Sequence, residues 1–356
     1  MKLAITADIH LRNRQETKER WQALEEILSQ LISHEINHLI IAGDLFDQES
    51  HNYSQFDALC KRRKFKKITL HIIPGNHDPS LKQANFTADN IHLYQQPTLV
   101  TLPNTDKQFF FIPYLKDQSM GGVLAKYKSE LSHPWVLVGH GNWAETIRSP
   151  NPTEPGIYMP LSRSTLKSYK PNLTLLGHIH KPMDNRNHNV YYPGSPCGLD
   201  ITETGQRTYL VLDLDNLEIK RKPIKTEVIY FDDQVVIYPM ENESEYWQKL
   251  INHLRKKWNL NKQDQDKAVI RIKVTGFSSD KRKLKKFFEH KLKELTGWKD
   301  QRLDLSNLNS SDNYELLKIS ERVSQKIVDL NLPEKSDEPD KKQILEETMK
   351  TIYNIS

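Results

Sequence analysis

His38-Leu39-Ile40-Ile41-Ala42-Gly43-Asp44-Leu45-Phe46-Asp47 is an apolar run of strand length that stops on a glycine and an aspartate. A short run of this kind, rich in Leu and Ile, reads as a strand. Four more segments end in the same manner. Asp8-Ile9-His10 follows the run 2–7, and Gly75-Asn76-His77-Asp78 follows the run 68–73. Gly139-His140-Gly141-Asn142 and Gly177-His178-Ile179-His180 close the runs 135–139 and 172–176. A further run at 108–112 and a helix over 16–33, where Trp21, Leu24, Leu28 and Leu31 recur at intervals of three and four, complete an alternation of strands and helices. The expected fold is therefore α/β.

Beyond His180 the pattern changes. Val190-Tyr191-Tyr192, Gln206–Leu214 and Leu217–Lys222 read as antiparallel strands, so a mixed sheet or a pair of packed sheets is expected. The character shifts to lysine-rich segments near residue 225, which places domains at 1–225, 226–300 and 301–356. The middle region reads strand at 234–238, helix at 243–257, strand at 268–274 and helix at 280–296, a small α+β module. The last region reads as polar linkers at Ser306–Asp312 and Pro333–Asp340, with helices near 313–330 and 341–353. The apolar stripe Ile344, Leu345, Met349 and Ile352 suits either a partner groove or the protein's own surface.

A chain of 356 residues with 37% hydrophobic and 27% charged residues can bury a sizeable core. No apolar run approaches the ~18 residues of a membrane helix, and Met1-Lys2-Leu3-Ala4-Ile5 shows no signal region, so no membrane association and no export are expected. Cys60 and Cys197 are too few for a disulfide framework or a thiolate metal site, and read as packing residues in a cytoplasmic protein. The net charge of +5 is unevenly spread, with sixteen Lys or Arg against six Asp or Glu between Lys249 and Asp300. The densest part, Lys281-Arg282-Lys283-Leu284-Lys285-Lys286, lies on a helix whose Leu284, Phe287, Phe288 and Leu292 share a face. The opposite face is either a footprint for a phosphate backbone or an ordinary solvated surface.

The five motifs supply seven side chains of metal-ligand type, Asp8, His10, Asp44, Asn76, His140, His178 and His180, with His77 in addition. That is the inventory of a two-metal hydrolytic site. Open α/β sheets gather their sites where loops converge beyond the carboxyl ends of strands. Asp8 and His10, like His178 and His180, are one residue apart and leave an extended segment on the same side. The Asp44 carboxylate has two oxygens and can bridge two cations, and Asn76 and His77 are adjacent, so a loop can aim one at a metal and the other at substrate. Any one of these fragments could be a turn or a polar loop; the coincidence of five decides for the metal site. The nine histidines outside the motifs read as surface or structural residues.

The order of motifs resembles the calcineurin-like metallophosphoesterases over roughly residues 1–225. The spelling Ala7-Asp8-Ile9-His10-Leu11, Gly43-Asp44-Leu45-Phe46-Asp47 and Gly177-His178-Ile179-His180, followed by Tyr192-Pro193-Gly194-Ser195-Pro196, looks like the SbcD type, the nuclease subunit of DNA-repair complexes built with an SMC-like ATPase. The resemblance implies a four-layer metallophosphoesterase sandwich, two packed mixed sheets flanked by helices, with a small capping domain and a helical C-terminal tail that docks on the ATPase. It implies that Asp8, His10 and His180 hold one metal and that Asn76, His140 and His178 hold the other, with Asp44 bridging. His77 would contact the scissile phosphate. Two Mn2+ ions, a DNA substrate, an SMC-like ATPase partner and a homodimer are what such a protein is expected to have. Gly139-His140-Gly141-Asn142-Trp143 departs from the usual fourth motif, and Asp47 stands where some members carry a histidine. The loop Asn142–Pro160 could shape a substrate entrance, with Trp143 either packed beneath it or stacked on a base. The alternatives to a DNA nuclease are a small-molecule phosphodiesterase or phosphatase and a DNA-end-binding scaffold.

Overall fold

The structure is a computed structural model and describes residues 1–47, 52–102, 105–146, 156–238, 242–261, 264–294, 299–310, 314–330 and 341–352. The chain divides into two compact units, Met1–Leu199 with Gln206–Val228, and Asp200–Gly205 with Ile229–Ser356.

In the first unit the strands are β1 (Lys2–Thr6), β2 (His38–Ala42), β3 (Thr69–Ile73), β4 (Ile91–Leu93), β5 (Thr98–Thr101), β6 (Gln108–Ile112), β7 (Trp135–His140), β8 (Leu173–Gly177), β9 (Met183–Asn185), β10 (Val190–Tyr192), β11 (Thr208–Asp213) and β12 (Glu218–Pro223). They form two six-stranded sheets, in the orders β12-β11-β1-β2-β3-β4 and β5-β6-β7-β8-β10-β9. Both sheets are mixed. The strands β1 to β4 run parallel, as do β6, β7, β8 and β10, while β11, β12, β5 and β9 pair antiparallel at the flanks.

The alternation of side chains along each strand produces the layers. Leu3, Ile5, Ile40, Ala42 and Ile73 from one sheet meet Phe109, Phe111, Val136, Val138 and Leu175 from the other in a fully buried inter-sheet core. The outer face of the second sheet, with Phe110, Ile112 and Leu137, is covered by Met120 and Leu124 of α3 (Met120–Lys126) and Leu166 of α4 (Arg163–Tyr169). On the first sheet, α1 (Lys18–Ser33) buries Trp21, Leu24, Ile27, Leu28 and Leu31 and spans the segment expected to be helical. A further helix, α2 (Tyr53–Lys61), was not evident from sequence periodicity. Trp143 is fully buried in the outer core, which rules out base stacking by that side chain. Residues 147–155 of the proposed entrance loop lie outside the described residues.

A polar cluster interrupts the inter-sheet core near its edge. His71 is 4% exposed, lies 3.1 Å from His38 Nδ1 through its Nε2 and 2.8 Å from the Tyr94 hydroxyl through its Nδ1, and stacks on Phe111. Burial, reinforced by His38 and His92, pushes the His71 imidazole down to about 3. Because the folded value is depressed, the unfolded chain takes up a proton that the folded one refuses, so stability falls as pH drops below ~6.5. Between pH 6.5 and 5 the expected loss is about 2 kcal/mol, at ~1.4 kcal/mol per pH unit. Urea unfolding at pH 7 and pH 5 checks this: His71→Gln should narrow the gap between the two midpoints, and an unchanged gap would show that the cluster does not govern acid sensitivity.

The second unit contains β13 (Ile229–Ile237), α5 (Glu243–Trp258), β14 (Ala268–Ser278), α6 (Lys281–Lys293), β15 (Asp300–Asp304), β16 (Leu308–Ser310), α7 (Tyr314–Asp329) and α8 (Lys341–Ile352). All four strands are parallel, with β14 pairing β13, β15 and β16. Strands and helices therefore alternate in this unit. Trp247, Ile251, Leu254 and Trp258 of α5 and Leu284, Phe288 and Leu292 of α6 pack on Ile229, Val235, Ile270 and Ile272 of the sheet. The strand β16 falls in Ser306–Asp312, expected to be linker; residues 311–313 and 331–340 lie outside the described residues. Met349 of α8 is buried, while Ile319, Val328 and Leu330 are 46%, 62% and 43% exposed. Among the described residues no helix is long and apolar enough to cross a membrane. Both cysteines are buried.

Candidate metal centre

All five motifs leave the carboxyl ends of their strands, and four residues in them adopt a backbone that L-residues rarely use. Asp8, His10, Asp44 and His178 have φ of 54°, 50°, 50° and 93°. Such positive-φ residues cost of the order of 1–3 kcal/mol each and persist only where the surroundings impose them. Here the loops impose them on one another. Asp8 N donates to Gly43 O, Ile9 N and His10 N donate to Asp44 O, and His178 N donates to the Asp8 carboxylate at 2.8 Å.

The glycines are there for clearance. A Cβ on Gly43, itself at φ +92°, would lie 2.0 Å from His140 Nδ1, and one on Gly75 would lie 2.1 Å from Asp44 Oδ1. Any larger residue would displace a candidate ligand.

Two nests of donor atoms result. In the first, one atom each of Asp8, His10 and His180 lie within 4.8 Å of one another, with His10 Nε2 and His180 Nε2 facing at 3.1 Å. In the second, Asn76 Oδ1 lies 2.9 Å from His140 Nε2 and 3.2 Å from His178 Nδ1. Asp44 stands between them, its Oδ2 3.2 Å from His140 Nε2 and 3.7 Å from His10 Nε2. All seven residues singled out from the sequence are thus brought together. Asp8, His10, Asp44, His140 and His178 are buried, whereas Asn76, His77 and His180 are half-buried and mark the open side.

Burial raises the Asp8 carboxyl. Burial also opposes ionisation of Asp44, but His140, His10 and His77 outweigh it and hold that carboxyl well below its usual range. His140 is raised to about 10 despite burial, because the Asp44 and Asp8 carboxylates face it, while burial and His140 together push His178 down to about 3. A proton on His140 offsets the negative charge when no cation does so.

The donor set fits divalent cations. Asp8 Oδ2 is buried without a hydrogen-bond donor, which costs about 1–3 kcal/mol unless something positive reaches it. The imidazole nitrogens face oxygens and each other, an arrangement that one proton can only partly relieve and that mixed N/O coordination satisfies. His140 Nδ1 lies 2.9 Å from Ala42 O, so Nδ1–H donates to that carbonyl and Nε2 keeps its lone pair for a metal.

Several contacts around the candidate ligands were not read from the sequence. Asp47 Oδ1 lies 3.2 Å from His77 Nδ1, and Asp47 also faces Arg12 and Arg20. Arg20 donates to His10 O at 2.6 Å. The buried Asp78 carboxylate accepts from Gly75 N at 2.7 Å and Phe46 N at 3.1 Å, tying the second motif to the third. Tyr192 accepts from Trp143 N and donates to Gly141 O, both at 2.8 Å, and so holds the fourth motif. The position of Asp47 and Asp78 inside the motifs, and of Tyr192 at the head of Tyr192-Pro193-Gly194-Ser195-Pro196, was the available signal; for Arg20 there was none.

A sequence profile described as Metallophos, calcineurin-like phosphoesterase, matches residues 1–196. No curated protein matches the chain. Among solved structures, a novel archaeal phosphodiesterase is 14% identical, covering 63% of this chain and 100% of its own, with a TM-score of 0.34. A dimetal phosphatase from Danio rerio is 11% identical, covering 63% of this chain and 96% of its own, with a TM-score of 0.38.

Proposed function

Because the chain belongs to the calcineurin-like phosphoesterase family, whose members are metal-dependent hydrolases of phosphate esters, we propose that it is a DNA nuclease that cleaves phosphodiester bonds with two Mn2+ ions. The observation that carries the choice of DNA is the charge on the second unit. Helices α5 and α6 turn their apolar faces to the sheet and leave Lys249, Lys256, Lys257, Arg282, Lys283, Lys285, Lys286 and Lys293 exposed. Eight cations on two helices make a footprint for a polyanion rather than for a single phosphate.

In this reading Asp8, His10 and His180 would hold one ion, Asn76, His140 and His178 would hold the other, and Asp44 would serve both. Bound there, divalent ions would supply an activated water and offset charge on the phosphoryl oxygens. The chain's own residues do the rest. Asp44 and Asp8 set the charge of the nest, and the Ala42 carbonyl fixes the His140 tautomer. His77, on the open side with its Nδ1 facing Asp47, presents its other nitrogen to the leaving oxygen and delivers a proton there. The exposed Ile319 and Val328 of α7 suit docking to an SMC-like ATPase, and a homodimer accords with the same resemblance.

The test is degradation of end-labelled linear DNA with Mn2+, beside hydrolysis of a small chromogenic phosphodiester. Replacing Lys281, Lys283 and Lys286 together by Glu should weaken DNA retention and flatten its dependence on salt, by roughly one unit of log–log slope for each phosphate no longer neutralised, while small-diester hydrolysis persists. Diester hydrolysis with DNA untouched in both proteins would favour a small-molecule phosphodiesterase. DNA retention with neither activity would favour an end-binding scaffold.

A further inference from the structure

His180 is the most exposed partner in the first donor nest, and its main chain is held from behind by a segment far along the sequence. Arg207 is 3% exposed and immediately precedes β11, the strand that pairs with β1 and so lies beside the strand delivering Asp8. Its Nη2 donates to His180 O at 2.6 Å and also to Ser195 Oγ, while its Nε donates to Ser195 O at 2.9 Å. Ser195 is fully buried, and its N–H donates to the same His180 carbonyl at 3.0 Å. Gly194, at φ +78°, passes so close that a Cβ there would lie 2.6 Å from His180 O. One guanidinium therefore grips the turn Tyr192–Pro196 and the backbone of a candidate metal ligand together.

A second arginine reinforces the turn. Arg221 on β12 donates to Tyr192 O at 2.7 Å, Pro193 O at 3.2 Å and Met183 O at 3.0 Å. The hairpin β11–β12 belongs to one sheet and the 180–195 segment leads through the other. The two arginines thus stitch the sheets at the point where His180 emerges.

We infer that Arg207 is a positioning residue for the metal held by Asp8, His10 and His180, acting through the His180 backbone and the buried Ser195 turn. This rests on the two-metal reading proposed above. A planar fork suits the task because it reaches two carbonyls and a hydroxyl at fixed angles; a lysine keeps the charge and supplies no such fork. Residues that orient a ligand from outside the coordination sphere typically change metal affinity by about 10–100-fold when replaced. The effect here falls on one ion, because the carbonyl that Arg207 grips is that of His180, a member of the first nest. In the second nest Asn76 follows β3 and His140 ends β7, and His178, though also beyond β8, has its own N–H held by the Asp8 carboxylate.

The experiment is titration of the metal-free full chain with Mn2+, following the free-ion signal by electron paramagnetic resonance, together with the thermal midpoint of the metal-free form. Arg207→Lys should weaken one of two binding steps by about 10–100-fold and leave the other step unchanged. Ser195→Ala, which removes one acceptor and keeps the arginine, should weaken the same step less. Equal weakening of both steps with a lowered metal-free midpoint would make Arg207 a general structural residue and overturn the inference. Two unchanged steps would overturn it as well. A wild-type chain that takes up no Mn2+ would sink the two-metal reading, and the positioning role with it, whereas the preceding outcomes touch Arg207 alone.

Discussion

Asp44→Asn should abolish hydrolysis, with a rate loss of at least about 10³-fold, and should reduce uptake of both ions rather than one. The side chain keeps its shape in this variant, loses its charge and exchanges one acceptor oxygen for an NH2 donor. Asp44 Oδ2 lies within 3.7 Å of imidazoles from both nests, and Oδ1 accepts from His77 N at 2.8 Å. The carboxylate therefore faces imidazoles of both nests. Losing roughly 4 kcal/mol of charge stabilisation corresponds to a factor of about 10³, and weaker metal occupancy adds to it. The fold should survive, because the loop is held by the Asp44 backbone carbonyl, which accepts from Ile9 N and His10 N and is unchanged in asparagine. Circular dichroism together with Mn2+ binding checks the expectation. A variant that binds both ions and turns over at the parental rate would remove Asp44 from the centre.

The second large effect belongs to His77. His77→Ala should lower turnover by about 10²–10⁴-fold, the usual contribution of a positioned acid or base, while both ions remain bound. The nature of the leaving group separates this role from that of a ligand. A substrate that departs as a stabilised phenolate needs little protonation and should lose less rate than DNA, whose leaving oxygen is an alkoxide. Asp47→Asn should fall between the parent and His77→Ala, since it removes the charge facing His77 Nδ1 at 3.2 Å and leaves the ring in place. One atom of His77 also lies within 4.8 Å of atoms of His10 and Asp44. If His77→Ala released an ion, the residue would be a ligand and the proton-transfer role would be wrong.

These two variants, the His71 acid limb and the lysine charge reversal probe different levels of the molecule. The first pair reads the chemistry, the third the inter-sheet core and the fourth the second unit. Asp44 and His77 are in direct contact, His77 N donating to Asp44 Oδ1 at 2.8 Å, so their effects should not add.

Much of the α/β core was legible because its strands are buried on both faces. The runs at 38–42 and 108–112 coincide with β2 and β6, those at 68–73 and 135–139 differ from β3 and β7 by a residue at one end, and that at 172–176 differs from β8 by a residue at each end. Short flanking strands such as β4, β5 and β9 escaped because three or four half-exposed residues carry no periodic signal. β15 escaped for another reason. Asp300–Asp304 reads Asp-Gln-Arg-Leu-Asp, and it is a strand because the eleven residues of β14 offer it an unpaired backbone edge.

By itself, the sequence determined which chemistry the protein can perform. Ligand-type side chains sit immediately after apolar runs, and a run that must be buried forces its end residues to the rim of the sheet, whatever the rest of the chain does. Only the tertiary structure decided which groups orient them. Asp47 with His77, Asp78 with Gly75 and Phe46, and Arg207 with His180 are pairings across loops that meet in space. Hydrogen bonds depend on distance and angle between particular atoms, and those exist only after the two sheets have packed and left backbone carbonyls and carboxylates with no water to satisfy them.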